Sequence, residues 1–336
     1  MTTLSLPARV APAVGLWFLA PLIAEYLMGN MPITNVAALI PLTIMYGGGA
    51  LLIREFVRRT GRGWPAMMVF GTAYGMIEEA FITQTLWSES WYDVRILDYG
   101  YLPALGTALP WVLFMVGVHT VWSISVPIAI METLAGPRRT TPWLGTTGFR
   151  VLASIIAAFV LLVVGYVVIE GIYLAGPPQY AGAALAIAAI IAIGLRLRGG
   201  APGLPGSAPS PWSMLAFALA AGAFFVLLYA TDPTGLSPWL ARALPVPPWL
   251  SVLLYLALFA VSGVLVSRWS RREGWSQAHR LALAAGAVLT YAWHSFPWKS
   301  IVPASLPLDL TSNAIMTAGA IALLVAAALR AGRNAS

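Results

Sequence analysis

Ten stretches of this chain are apolar for long enough to cross a lipid bilayer. They lie near residues 11–29, 35–56, 64–87, 107–134, 149–174, 180–197, 211–230, 248–267, 279–300 and 311–330. Hydrocarbon offers backbone groups no water, so each run has to satisfy its own hydrogen bonds as a helix. Composition points the same way: 59% of residues are hydrophobic and only 9% charged, where a soluble domain carries roughly a quarter. The expected fold is all-α, a polytopic membrane helix bundle of about ten transmembrane helices, with residues 1–336 forming one integral membrane domain.

The cations give that bundle a direction. Arg54, Arg58, Arg59 and Arg62 lie at or between runs two and three, and Arg138, Arg139 and Arg150 between four and five. Arg196 and Arg198 follow run six, Arg268, Arg271, Arg272 and Arg280 separate eight from nine, and Arg330 and Arg333 close the last. The alternate connections hold only Arg95, Arg242 and Lys299. Cationic loops stay in the cytoplasm, which predicts a cell-membrane protein with both termini inside. The net charge of +7 is therefore an orienting charge, and nucleic acid is not an expected partner. The first run lacks a cleavage pattern and reads as a retained span. Residues 199–210 are rich in Gly and Pro; they read as a flexible cytoplasmic linker between a six-helix unit (1–198) and a four-helix unit (211–336). Residues 88–106 hold Glu89, Asp93, Asp98 and several aromatics; they read as an ordered cap or, more plainly, as an interfacial loop with an aromatic belt.

With no cysteine and three histidines, disulfides, iron–sulfur clusters and thiolate zinc sites are excluded, and any metal must be held by His, Asp or Glu. The third run contains Gly71, Gly75, Glu78 and Glu79 on one helical stripe. A carboxylate inside a membrane is costly and faces protein or a wet cavity. Small residues one turn apart let a second helix approach closely. The acidic pair is thus expected to point toward a neighbouring helix, where two adjacent carboxylates favour sharing a proton, a metal or a nucleophilic water.

At 1.5 Å per residue, Glu78 lies roughly 20 Å from the cytoplasmic start of its run, His294 about 20 Å and Glu25 about 21 Å from theirs. His119, descending from the outside, lies roughly 14 Å below the outer surface of a core about 30 Å thick. Four runs thus carry polar groups at one depth, with Tyr291 one turn from His294 and Ser123 one turn from His119. Pro21, Pro127 and Pro297 free the carbonyls of Trp17, Ser123 and Trp293 near these residues. Each group also has a plainer reading: Glu25 as a lone hydrogen-bonded acid, His119 as a packing bond between helices, His294 as an interfacial residue beside Trp293 and Trp298. His279, in a cationic loop, and Glu132 and Glu170, near run ends, are expected to reach water.

At Glu78, Glu79 and His119 the chain resembles the CAAX-prenyl protease and bacteriocin-processing family of intramembrane endopeptidases. Thr83 stands where that family's first motif has Arg, Met115 where the second has Phe, and Trp298 where the third has Asn or Asp. The resemblance implies that Glu78 or Glu79 activates water, that His119 binds it or stabilises an oxyanion, and that His294 fills the third motif.

Two functions use the same residues. An intramembrane hydrolase would employ Glu79 as general base, with Glu78, His119 and His294 as catalytic groups and Glu79, His119 and His294 as ligands to a divalent metal such as zinc. Glu25, Tyr291 and Ser123 would support them. A proton- or cation-coupled transporter would load Glu25, Glu78 and Glu79, with His119 as relay and the glycines at 47–49 as hinge or packing face. A b-type haem between His119 and His294, and a non-catalytic scaffold, complete the alternatives. The lipid bilayer is the expected partner, with a membrane-embedded peptide or a small solute as substrate.

Overall fold

Apolar runs that start beside Pro or Gly become helices of well-defined length. A computed structural model describes residues 6–91, 93–172 and 174–333, and among them the chain folds into ten helical rods. They are α1 (6–27), α2 (Val36–Arg59), α3 (64–82), α4 (Leu109–Arg138), α5 (Thr146–Glu170), α6 (Pro177–Arg196), α7 (Pro211–Tyr229), α8 (Pro248–Trp269), α9 (Gln277–His294) and α10 (Leu306–Arg333). Proline occupies the first turn of α3, α6, α7 and α8, where its missing N–H costs nothing and its φ suits the helix. The extreme termini lie outside the described residues. The protein is an all-α polytopic membrane protein.

Eight of the rods are long and apolar enough to cross a membrane by length and composition, and the other two are α3 and α9. The shortfall has a cause: α3 carries Glu78 and Glu79, and α9 carries His279, Arg280 and His294. Both rods are nonetheless interior, with Glu78, Glu79 and His294 almost inaccessible. At the periphery, by contrast, α5 and α8 bury few of their residues. Leu161, Leu162 and Ile169 of α5 are exposed, as a lipid-facing surface requires. α4 is the central rod, with 67% of its window buried. Close approach of α9 to α7 depends on Gly286, where a Cβ would lie 2.8 Å from the Leu215 carbonyl oxygen.

Successive connections gather at opposite ends. At one end Arg59 donates to the Leu144 carbonyl (2.6 Å), Arg62 to that of Leu195 (3.0 Å), and Gln277 to Thr133 (2.7 Å). The 199–210 stretch joins them through β-strand Leu204–Ser207, which pairs in parallel with Arg272–Glu273. At the other end Tyr99 donates to the Val246 carbonyl (2.6 Å), Ser237 to that of Pro297 (3.0 Å), and the Ile301 amide to that of Asn30 (3.0 Å). The described residues between 83 and 108 pack here as an ordered cap. Leu86, Ile96 and Leu97 are buried, and a hairpin of Tyr101–Leu102 with Thr107–Ala108 closes the segment.

Two further expectations are corrected. Glu132 does not reach water: it is 1% exposed and accepts from Arg58 (2.5 and 2.7 Å) and Arg54 (3.2 Å). His279 is likewise buried, its Nδ1 accepting from the Ser276 amide at the start of α9. In both cases the apolar surroundings at the Arg-rich end demand partners that a loop reading does not foresee. Glu170 is exposed.

Candidate metal centre

Four of the rods contain a π-helical segment, and every one of these carries a polar residue of a single cluster. The segments are Leu22–Leu27 in α1, Thr43–Gly47 in α2, Glu78–Ile82 in α3 and His119–Ser125 in α4. They hold Glu25, Tyr46, the Glu78/Glu79 pair, and His119 with Ser123 respectively. Widened turns of this kind concentrate at functional sites. Pro21 immediately precedes the first, and Pro127 follows the last by two residues; each removes a donor from the helix ladder. Pro297 acts differently from expectation, because α9 ends at His294 and the proline lies beyond it.

Gly71 and Gly75 bring α3 against the widened turn of α4. A Cβ at Gly75 would lie 2.9 Å from the His119 Cβ, so only glycine fits without a shift. The approach sets three ligand-type side chains together. Glu79 Oε1 lies 2.6 Å from His119 Nε2, and Glu78 Oε2 lies 3.3 Å from His119 Nδ1. One ligand atom from each of Glu78, Glu79 and His119 falls within 4.8 Å of the others, and all three residues are buried.

Outer contacts fix two of the three. His119 Nδ1 is 3.2 Å from Ser123 Oγ. Glu79 Oε2 accepts from Thr83 Oγ1 (3.2 Å) and from Thr85 Oγ1, which in turn accepts from Trp111 Nε1 (3.2 Å). Both oxygens of Glu78 are buried without a hydrogen-bond partner among the described residues. With only the His119 ring beside it, a carboxylate buried in this way still calls for a proton, a cation or a water. Two carboxylates around one imidazole leave an excess of negative charge, which a dication balances. The residues present therefore fit a divalent metal.

Aromatic rings wall the cluster. Tyr46 stacks on His119 at 5.9 Å, and Tyr74 meets its edge at 6.0 Å. Tyr46 also donates to Glu25 Oε1 (2.5 Å), while Asn30 donates to Glu25 Oε2 (2.9 Å). Glu25 is thereby tied to the cluster through a ring rather than by direct contact. The glycines at 47–49 serve close packing, since a Cβ on Gly48 would touch Ile156 at 3.2 Å.

His294 and Tyr291 belong to a neighbouring compartment. The His294 ring lies against Trp298 (5.0 Å) and Trp293 (5.8 Å), and neither nitrogen has a hydrogen-bond partner among the described residues. Tyr291 stacks on Trp122 at 4.6 Å. Trp298 Nε1 donates to Asn30 Oδ1 (2.7 Å), which links this compartment to Glu25. His294 thus lies outside the ligand group, where Glu78 stands instead. Sequence reasoning did not single out Tyr46, Tyr74, Asn30 or Thr85. The glycines beside Tyr46 were a signal for it; Tyr and Thr inside or just past an apolar run otherwise look ordinary.

A family model described as an uncharacterized membrane protein family matches residues 16–335. No curated protein and no solved structure shows significant similarity to the chain. The match overturns the resemblance to CAAX-prenyl proteases. An acidic pair and a distant histidine are too few residues to define that family when Thr83 and Trp298 occupy its Arg and Asn/Asp places.

Proposed function

The chain belongs to an uncharacterized membrane protein family, and we propose that it is a multi-pass enzyme of the cell membrane, its Arg-rich end cytoplasmic, that hydrolyses a membrane-embedded substrate with the help of one divalent cation. The convergence of Glu78, Glu79 and His119 within 4.8 Å carries this reading. One nitrogen and two carboxylate donors suit zinc or a similar ion, and three protein ligands leave a position for water. Bound there, the metal would supply a water acidic enough to ionise near neutral pH. Ser123 orients the His119 ring, and Thr83 and Thr85 hold Glu79, so both remain in place during reaction. Glu78, whose oxygens have no hydrogen-bond donor among the described residues, would accept the proton released by the attacking water, the role of a general base. Tyr46 and Tyr74 exclude bulk solvent.

A second reading, coupled transport, draws on the path from Glu25 through Tyr46 to the ring of His119, which spans α1, α2 and α4. Metal analysis of protein purified without chelator separates the two. The hydrolase reading expects about one equivalent of zinc or another divalent ion, lost in His119→Ala and in Glu78→Gln/Glu79→Gln. Metal-free wild-type protein, or variants that retain the ion, overturns it. Proton-coupled solute flux in liposomes, abolished by Glu79→Gln in metal-free protein, would establish transport instead.

A further inference from the structure

At the Arg-rich end, all three arginines of α2 are ion-paired, sharing two carboxylates. Arg54 pairs with Glu55 and Glu132, Arg58 with Glu132 and Arg59 with Glu55. Arg62 and Arg198 have no such acid. They line a cavity of about 580 Å³ together with Thr60, Gly61 and Gly199, and no carboxylate is among the lining residues. Arg62 is held in place: its Nη2 donates to the Leu195 carbonyl (3.0 Å), and its guanidinium lies 5.6 Å from the Phe56 ring. Its Nε is buried and has no partner among the described residues. Arg198 lies past the end of α6, is exposed, and makes no hydrogen bond or ion pair with the described residues. The two turns that carry these arginines touch, since a Cβ on Gly199 would lie 3.2 Å from the Gly61 carbonyl oxygen.

We propose that this cavity, between the ends of α3 and α6, binds the phosphate of an anionic phospholipid headgroup. A fixed donor and a second free guanidinium, with no acid to compensate them, match a singly charged phosphodiester. The position selects lipid over soluble phosphate. α6 is a peripheral rod, with 17% of its window buried, and Gly194 packs it directly on Phe70 of α3. The cavity therefore lies at the rim of the bundle, beside the end of a helix long and apolar enough to cross a membrane. Basic pockets between helix ends on the cytoplasmic side bind such headgroups.

The test titrates the purified full chain, in neutral detergent, with phosphatidylglycerol, phosphatidylcholine or inorganic phosphate. Bound lipid is counted by native mass spectrometry and the melting temperature is read in parallel. Phosphatidylglycerol is expected to be retained over phosphatidylcholine and to raise the melting temperature. Each arginine near an anionic headgroup contributes about fivefold in affinity, so Arg62→Gln/Arg198→Gln should lose roughly thirtyfold. Arg198→Gln alone, which removes no internal contact, should lose about fivefold with an unchanged lipid-free melting temperature. Wild-type retention in Arg198→Gln and in the double variant overturns the proposal. So does inorganic phosphate that raises the melting temperature as much as the lipid does.

Discussion

Glu78 and Glu79 are neighbours in sequence with opposite surroundings. Hydroxyls and an imidazole satisfy Glu79, whereas Glu78 meets the edge of His119 and has no hydrogen-bond partner among the described residues. A charge inside an apolar run is conspicuous, so both acids and His119 could be read from the sequence; which of the acids is free could not, because Thr85 folds back from beyond the helix. A third acid, Asp232, follows α7 outside the membrane-spanning segments. It is 4% exposed, and burial raises it from 3.8 to about 6 against the bonds it accepts from Thr234. A raised acid favours the folded state while protonated, so stability is lost as pH climbs from about 4 through 6. Asp232→Asn keeps the acceptor and removes the charge. It should match wild type below pH 4 and exceed it by up to about 3 kcal/mol above pH 7, read as thermal unfolding against pH. A gap that is constant across that range would contradict this account.

At the scale of elements, the widened turns explain how helices can aim polar groups inward without charge facing lipid. An extra residue in one turn rotates the remainder of the helix about its axis, and here four rods use it at the level of the same cluster. Prolines hinted at two of these places. The turn in α3 has no proline near it, and the sequence there carries no other mark of it. Packing also decides the ion cluster that ties α2 to α4. Arg54 is fully buried between Glu55 and Glu132, with Trp143 3.5 Å from its guanidinium. Removing one member strands the others, at a cost of about 3–5 kcal/mol. Glu132→Gln should therefore lower the melting temperature sharply, and adding Arg58→Gln should recover part of the loss. Additive losses in that cycle would show that the pair does not interact.

For the whole molecule, the alternation of connections between two ends is the feature with the widest consequences. Arg-rich loops meet at one end, and the cap over residues 83–108 closes the other. The cation pattern then predicts the first end to be cytoplasmic. The chain contains no cysteine, which makes labelling direct. Gly203→Cys should react with an impermeant maleimide only after the membrane is opened, and Leu105→Cys should react in intact cells. The reverse pattern would invert the orientation, and equal labelling at both sites would remove it.

Apolar length and cation placement by themselves determined that the chain is a polytopic helix bundle and which connections share an end, because insertion into a bilayer is decided segment by segment. A constant rise per residue gave the sequence reading of how far along its helix each polar residue lies. The angle of each helix about its own axis was not determined in this way. It depends on how small residues such as Gly75 and Gly286 let particular neighbours approach, and on where the widened turns fall. The sequence therefore offered His294 as the third ligand with Glu79 and His119, and tertiary packing alone placed Glu78 beside His119 and His294 among tryptophans.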